Sequence, residues 1–169
     1  MKFFTPTVKG IITGILMIAI SISVYLYFDP NTESFLPLLT YVIYIGGIVW
    51  TLIDYSKQEV LKSFKTYFTQ GFLCFITVTF LMVLYNIILI KMSPGIIEEN
   101  AQKTRDELIK IGNKTESEIE TIVLQSKEYY TTIMTSLTIF WNLLIGSVTT
   151  LIVSLILLKK PTNNNKNTF

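Results

Sequence analysis

KMSPGIIEENAQKTRDELIKIGNKTESEIETIVLQSKEYYTT, residues 91–132, is the stretch that decides how this 169-residue chain folds. Its 42 positions hold 6 Lys/Arg and 8 Asp/Glu, so 14 of the chain's 26 charges sit in a quarter of its length. The segment is too charged to lie in lipid, yet it is patterned. Ser93-Pro94 reads as a helix start, with Ser as N-cap and Pro at the first helical position. Ile97, Ala101, Thr104, Leu108 and Ile111 recur at helical spacing and make one apolar face. Glu99 with Lys103, and Asp106 with Lys110, are acid-first pairs four residues apart. Gly112-Asn113 stops this helix. Thr115-Glu116-Ser117-Glu118 reads as a capping box for a second one, whose face is marked by Ile119, Ile122, Ser126, Tyr129 and Ile133. The spacing predicts an antiparallel helical hairpin.

On either side of this hairpin the chain is apolar. Half of the whole sequence is hydrophobic and only 15% is charged, against roughly 25% in an ordinary soluble domain. Four runs, about 10–28, 35–53, 69–90 and 133–158, have no Asp, Glu, Lys or Arg in their interiors. Each is long enough for a bilayer crossing of about 20 residues. Within hydrocarbon the backbone must pair inside its own segment, so all four read as helices. The expected fold is an all-α integral membrane protein with four transmembrane helices and an extracytoplasmic hairpin between the third and fourth. No breaker separates the hairpin's second arm from the fourth span, so one continuous helix is expected from Glu116 to Leu158. The first run exceeds the apolar core of a signal peptide and reads as an uncleaved span. The Asn-rich tail, 161–169, reads as disordered.

Orientation follows from the basic residues of the short loops. The N-terminal arm, the loop between the second and third spans, and the tail together hold eight Lys and two acids, net +6. The first loop and the hairpin hold six Lys/Arg and ten acids, net −4. Both termini are therefore expected on the cytoplasmic side, with the hairpin on the far side. Tyr25, Tyr27 and Phe28, and Tyr67 with Phe68, suit the two interfaces. Leu61, Phe64 and Phe68 with Lys57, Lys62 and Lys65 suit a short interfacial helix. Asp54 and Glu59 read as solvated charges at the inner edge.

The composition excludes several chemistries. There is no His, which removes His metal sites, Ser-His triads and His proton switches. Cys74 is the sole cysteine, so no intrachain disulfide and no Cys-x-x-Cys redox pair can form. No charged residue lies at mid-membrane, where ion-coupled transporters keep one. No catalytic, cofactor-binding or metal site is expected, nor any nucleic-acid partner. The candidate residues are contact residues. Thr138, Asn142, Gly146, Thr150 and Ser154 recur every four positions on the fourth span. Gly10 and Gly14 form a Gly-x-x-x-Gly at the inner end of the first, and Gly46-Gly47 allow another close approach on the second. Small residues let helices pack closely and polar ones bond across the contact. The stripe reads as internal packing, a homodimer seam, or a polar solute path. Asn86 and Asn142 are candidates to meet across the bundle. On the hairpin, Ile97, Ala101, Leu108, Ile111, Ile119 and Ile122 either pack on each other or leave a face for a partner.

Three stretches also carry a family resemblance. Lys9-Gly10-Ile11-Ile12-Thr13-Gly14 opens the first span. Ser63-Phe64-Lys65-Thr66-Tyr67-Phe68-Thr69-Gln70-Gly71 enters the third. A Pro-started, Glu/Lys-rich helical segment then precedes a last span closed by Lys159-Lys160. This order resembles domain-of-unknown-function family 4199, small four-span membrane proteins found mostly in the Bacteroidota, over residues 7–160. The resemblance implies a bacterial inner-membrane protein and transfers no activity and no catalytic residue. The expected role is non-enzymatic association with a membrane protein or a second copy, through the hairpin or the fourth-span stripe. The alternative is a small permease or exporter component for a neutral or lipid-like solute.

Overall fold

The computed structural model describes residues 4–27, 36–58 and 62–159. Five helices account for nearly all of them: α1 (Pro6–Tyr27), α2 (Leu36–Ser56), α3 (Phe64–Met92), α4 (Gly95–Ile111) and α5 (Glu116–Lys159). Among the described residues there is no strand. α1, α2, α3 and α5 are long and apolar enough to cross a membrane. The 161–169 tail, Glu59, Leu61 and the first loop lie outside the described residues. The chain divides into two compact units, one of residues up to Met82 and from Trp141 onward, the other Val83–Phe140.

Helix starts obey local capping, though not always where the sequence signal is plainest. α1 begins a turn before the expected 10–28 span because Thr5 caps it: the Val8 N–H donates to Thr5 Oγ1 at 3.3 Å. Pro6 then takes the first helical position, where its missing N–H costs nothing. Ser63 caps α3, its Oγ accepting from Thr66 N–H at 3.2 Å while Thr66 Oγ1 accepts from Ser63 N–H at 2.9 Å. Phe64 to Phe68 are therefore the opening turns of α3, and no separate interfacial helix forms there.

In the first unit, the inward face of each helix follows a period of about 3.6. Lys9, Thr13 and Met17 are buried on α1, Tyr44, Ile48, Thr51 and Leu52 on α2, and Tyr67, Cys74, Phe75 and Val78 on α3. On α5 the buried positions are Asn142, Thr150 and Ser154, with Gly146 also buried. Glycines let these faces meet. A Cβ on Gly10 would lie 2.7 Å from the Cys74 carbonyl, and one on Gly14 would lie 2.7 Å from Leu81. Gly47 faces Thr13, and Gly71 faces Thr150. Gly46 has open space where a side chain would be, so Gly47 alone of that pair supports a close approach.

The second unit contains the hairpin. α4 starts at Gly95 with Pro94 at its cap and no side-chain cap bond. This corrects the expected Ser93 N-cap. The Ser93 N–H still donates to the Leu89 carbonyl at 2.9 Å, so Ser93 continues the end of α3 and Pro94 turns the chain. Gly112 ends α4 in the left-handed region, φ 70°, with its N–H on the Leu108 carbonyl. The capping box of α5 forms as read: the Thr115 N–H donates to Glu118 Oε2 at 2.7 Å, and the Glu118 N–H to Thr115 Oγ1 at 3.4 Å. α5 then runs unbroken for 44 residues, about twice what a crossing needs.

Candidate functional site

Two places in the molecule concentrate polar chemistry, one in each unit. The first lies where α1 starts and α2 ends. Lys9 is only 2% exposed, and its Nζ bonds Asp54 Oδ2 of α2. The same ammonium stands 5.3 Å from the centre of the Trp50 ring, within range of a cation–π attraction. Lys9 lies one turn before Thr13 and two before Met17. Asp54 follows Thr51 and Gly47 on the inward side of α2. Extending each small or polar face by one turn therefore reaches the pair. The sequence reading missed this by treating Lys9 as a topology charge and Asp54 as solvated. A buried pair in this position is sensitive, because loss of either partner leaves a desolvated charge.

A cavity of about 740 Å³ opens beside the pair. Its polar lining is Lys9, Lys57, Gln58, Gln70, Thr5, Thr51 and Tyr55, and Phe4 and Pro6 supply an apolar wall. Tyr55 is braced by Tyr67, edge to face with ring centres 5.2 Å apart. The C-terminal carbonyl end of α2 is partly satisfied by Lys62, whose Nζ donates to Ser56 O at 2.6 Å.

Four of the five fourth-span stripe residues, Asn142, Gly146, Thr150 and Ser154, are buried, and Thr138 is half-buried. Asn142 is buried, and its backbone carbonyl accepts from the Tyr44 hydroxyl at 2.7 Å. Gly146 makes this possible, since a Cβ there would meet Tyr44 and Phe75. Thr150 and Ser154 are fully buried, and their hydroxyls have no hydrogen-bond partner among the described residues. Gly10 and Gly14 pack on α3. Asn86, expected opposite Asn142, instead donates its Nδ2 to Thr138 Oγ1 at 2.7 Å.

The hairpin is the second place. Ala101, Ile119 and Val123 form its core, with Leu108 packed against it. Ile97 and Ile122 are half-buried, while Ile111 is 62% exposed. The inward face of α5 is offset from the one read in sequence: Val123 and Tyr130 turn inward, while Tyr129 and Ile133 are exposed. Burial pushes the Tyr130 phenol pKa up, and Glu99 adds to the shift. Arg105 grips Glu120 through two bonds, at 2.7 and 2.9 Å, and Lys127 bonds Glu98 at 2.6 Å. The Glu99–Lys103 pair forms at 2.9 Å. Asp106–Lys110 does not form among the described residues, and Asp106 accepts from Gln102 instead.

No group of three or more metal-ligating side chains occurs among the described residues. Four apolar helices, a small and polar interior and a charged helical hairpin define a multi-pass, all-helical membrane protein. Residues 9–159 match the sequence model of a family described as "Protein of unknown function (DUF4199)", and the chain belongs to that family. No curated protein and no solved structure matches it.

Proposed function

We propose that this is a non-enzymatic protein of the bacterial inner membrane that acts by association, with the α4–α5 hairpin as its docking module outside the bilayer. One observation carries the reading. The hairpin closes its own core, yet Ile109, Ile111 and Leu124 stay outward, each about 60% exposed. Cross-helix ion pairs hold the two arms in register and keep the surface preformed, which lowers the entropy cost of docking. The hairpin is favoured over the α5 stripe because Asn142, Gly146 and Thr150 of the stripe pack against α2 and α3. Single-cysteine variants at Ile111 and Leu124, in a Cys74→Ser background, test the reading in native membranes. The expected result is a crosslinked second copy or one defined membrane-protein adduct. Cysteines that react with a soluble maleimide yet crosslink to nothing would overturn it.

A second reading, a permease or exporter component for a neutral or lipid-like solute, has its own support. The unpartnered Thr150 and Ser154 hydroxyls are groups a passing polar solute could satisfy. Buried hydroxyls without a partner are costly. Solute flux in proteoliposomes that persists in a Thr150→Val, Ser154→Ala variant would remove that support.

A further inference from the structure

The cavity beside Lys9 has a chemistry that neither reading uses. Among the described residues no carboxylate lines it, and two ammonium groups do, Lys9 and Lys57. One donor of Lys9 is held by Asp54, and an ammonium has three. The Gln58 and Gln70 amides add neutral donors on the same wall. Thr5 and Pro6 place the N-terminus of α1 there too, and a 22-residue helix carries a positive partial charge at that end. The opposing negative end of α2 is blunted by Lys62 on Ser56 O. Phe4 and Pro6 offer apolar surface beside these donors. Two cations, amide donors and a helix N-terminus around an open space of about 740 Å³ suit a phosphate group, esterified or free.

We infer that this cavity binds a phosphate-bearing anion, held by the Lys9 and Lys57 ammonium groups at the positive end of α1. The lysine distribution puts it on the cytoplasmic side, where both anionic lipid head groups and dissolved phosphates occur. Asp54 is then a positioning residue that holds Lys9 beneath the site, with Trp50 as a built-in reporter.

The test uses the full chain in nanodiscs, in a Trp141→Phe background so that Trp50 alone is read. Dioleoylphosphatidylglycerol is titrated into phosphatidylcholine discs in one arm, and inorganic phosphate is added to pure phosphatidylcholine discs in the other. A saturable change in Trp50 emission is expected in at least one arm. A response to phosphatidylglycerol alone identifies a lipid head group, and a response to phosphate identifies a soluble anion. Lys57→Gln leaves the Lys9–Asp54 pair in place and should weaken binding about ten-fold, the loss of one charged hydrogen bond. Lys65→Gln removes an exposed charge outside the cavity and should weaken it less than about two-fold. No response in either arm, or equal weakening by the two variants, overturns the site.

Discussion

In the spanning unit many large apolar side chains face outward and several polar ones are buried alongside apolar ones; in the hairpin the buried side chains are apolar and the outer ones mostly polar. Leu38, Val42, Phe80 and Ile156 of the spanning helices are exposed, while Lys9, Thr13, Thr51, Asn142, Thr150 and Ser154 are buried. In the hairpin, Ala101, Ile119 and Val123 are inside and most charges are outside. The contrast follows from the solvent. Lipid removes the hydrophobic reason to bury Leu or Phe, so contact between spans is driven by close packing and interhelical hydrogen bonds. Water restores that reason for the hairpin, and three buried side chains there close a core. The same substitution type should therefore act differently in the two regions, and this can be broken experimentally.

The largest effect is expected at the buried charges. Asp54→Asn or Lys9→Met should each destabilise the bundle by about 3–5 kcal/mol, since each leaves a desolvated group without its partner. The combined Lys9→Met, Asp54→Leu variant should recover much of that loss. Thermal melts in detergent read both. If Asp54→Asn proves neutral, the pair is solvated and the polar interior ends one turn higher.

Next comes the hairpin core. Ile119→Ala should cost about 2–4 kcal/mol, the usual range for a buried aliphatic truncation. Amide exchange should accelerate across α4 and the first turns of α5 and leave α1 and α2 protected. Uniform acceleration through all helices would show that the two units unfold together, and the comparison would lose its basis.

How far these features were legible follows from the same contrast. The spans were legible because lipid imposes one long apolar run on each of them. The capping box at Thr115 and the stop at Gly112 were legible because caps are local in sequence. Ser93-Pro94 misled because a Ser-Pro start means little when the Ser is still bonded into the preceding helix, here to Leu89. The equivalent Thr5-Pro6 start was passed over, although it is the one that caps. The offset from Tyr129 to Tyr130 arose because Ile122 and Val123 are adjacent and both apolar, so spacing alone could not choose between them. Lys9 and Asp54 were hidden by a sound rule. Charges at span ends are normally solvated, and only the contact between α1 and α2 reveals that these two are not.

The smallest effect isolates the hairpin's water-facing side. Thr115→Ala removes the cap of α5 and should cost about 1 kcal/mol, read as faster amide exchange in residues 116–119. The same cap is sensitive to acid. Backbone and side-chain bonds from Thr115 hold the Glu118 carboxyl pKa below its ordinary value of 4.5. A carboxyl whose pKa is lower in the folded state stabilises the fold above its unfolded pKa. That contribution fades as the pH falls through the folded value. Fraying at the start of α5 should therefore increase on acidification below about pH 4.5. The Thr115→Ala variant, already uncapped, should show a weaker pH response over that window. In lipid no such titration would be available, because a carboxylate there would not remain charged without a partner. If acid loosens wild type and Thr115→Ala alike, the capping box is not what fastens α5 to its first turn, and Gly112 with the core at Ile119 must hold the turn unaided.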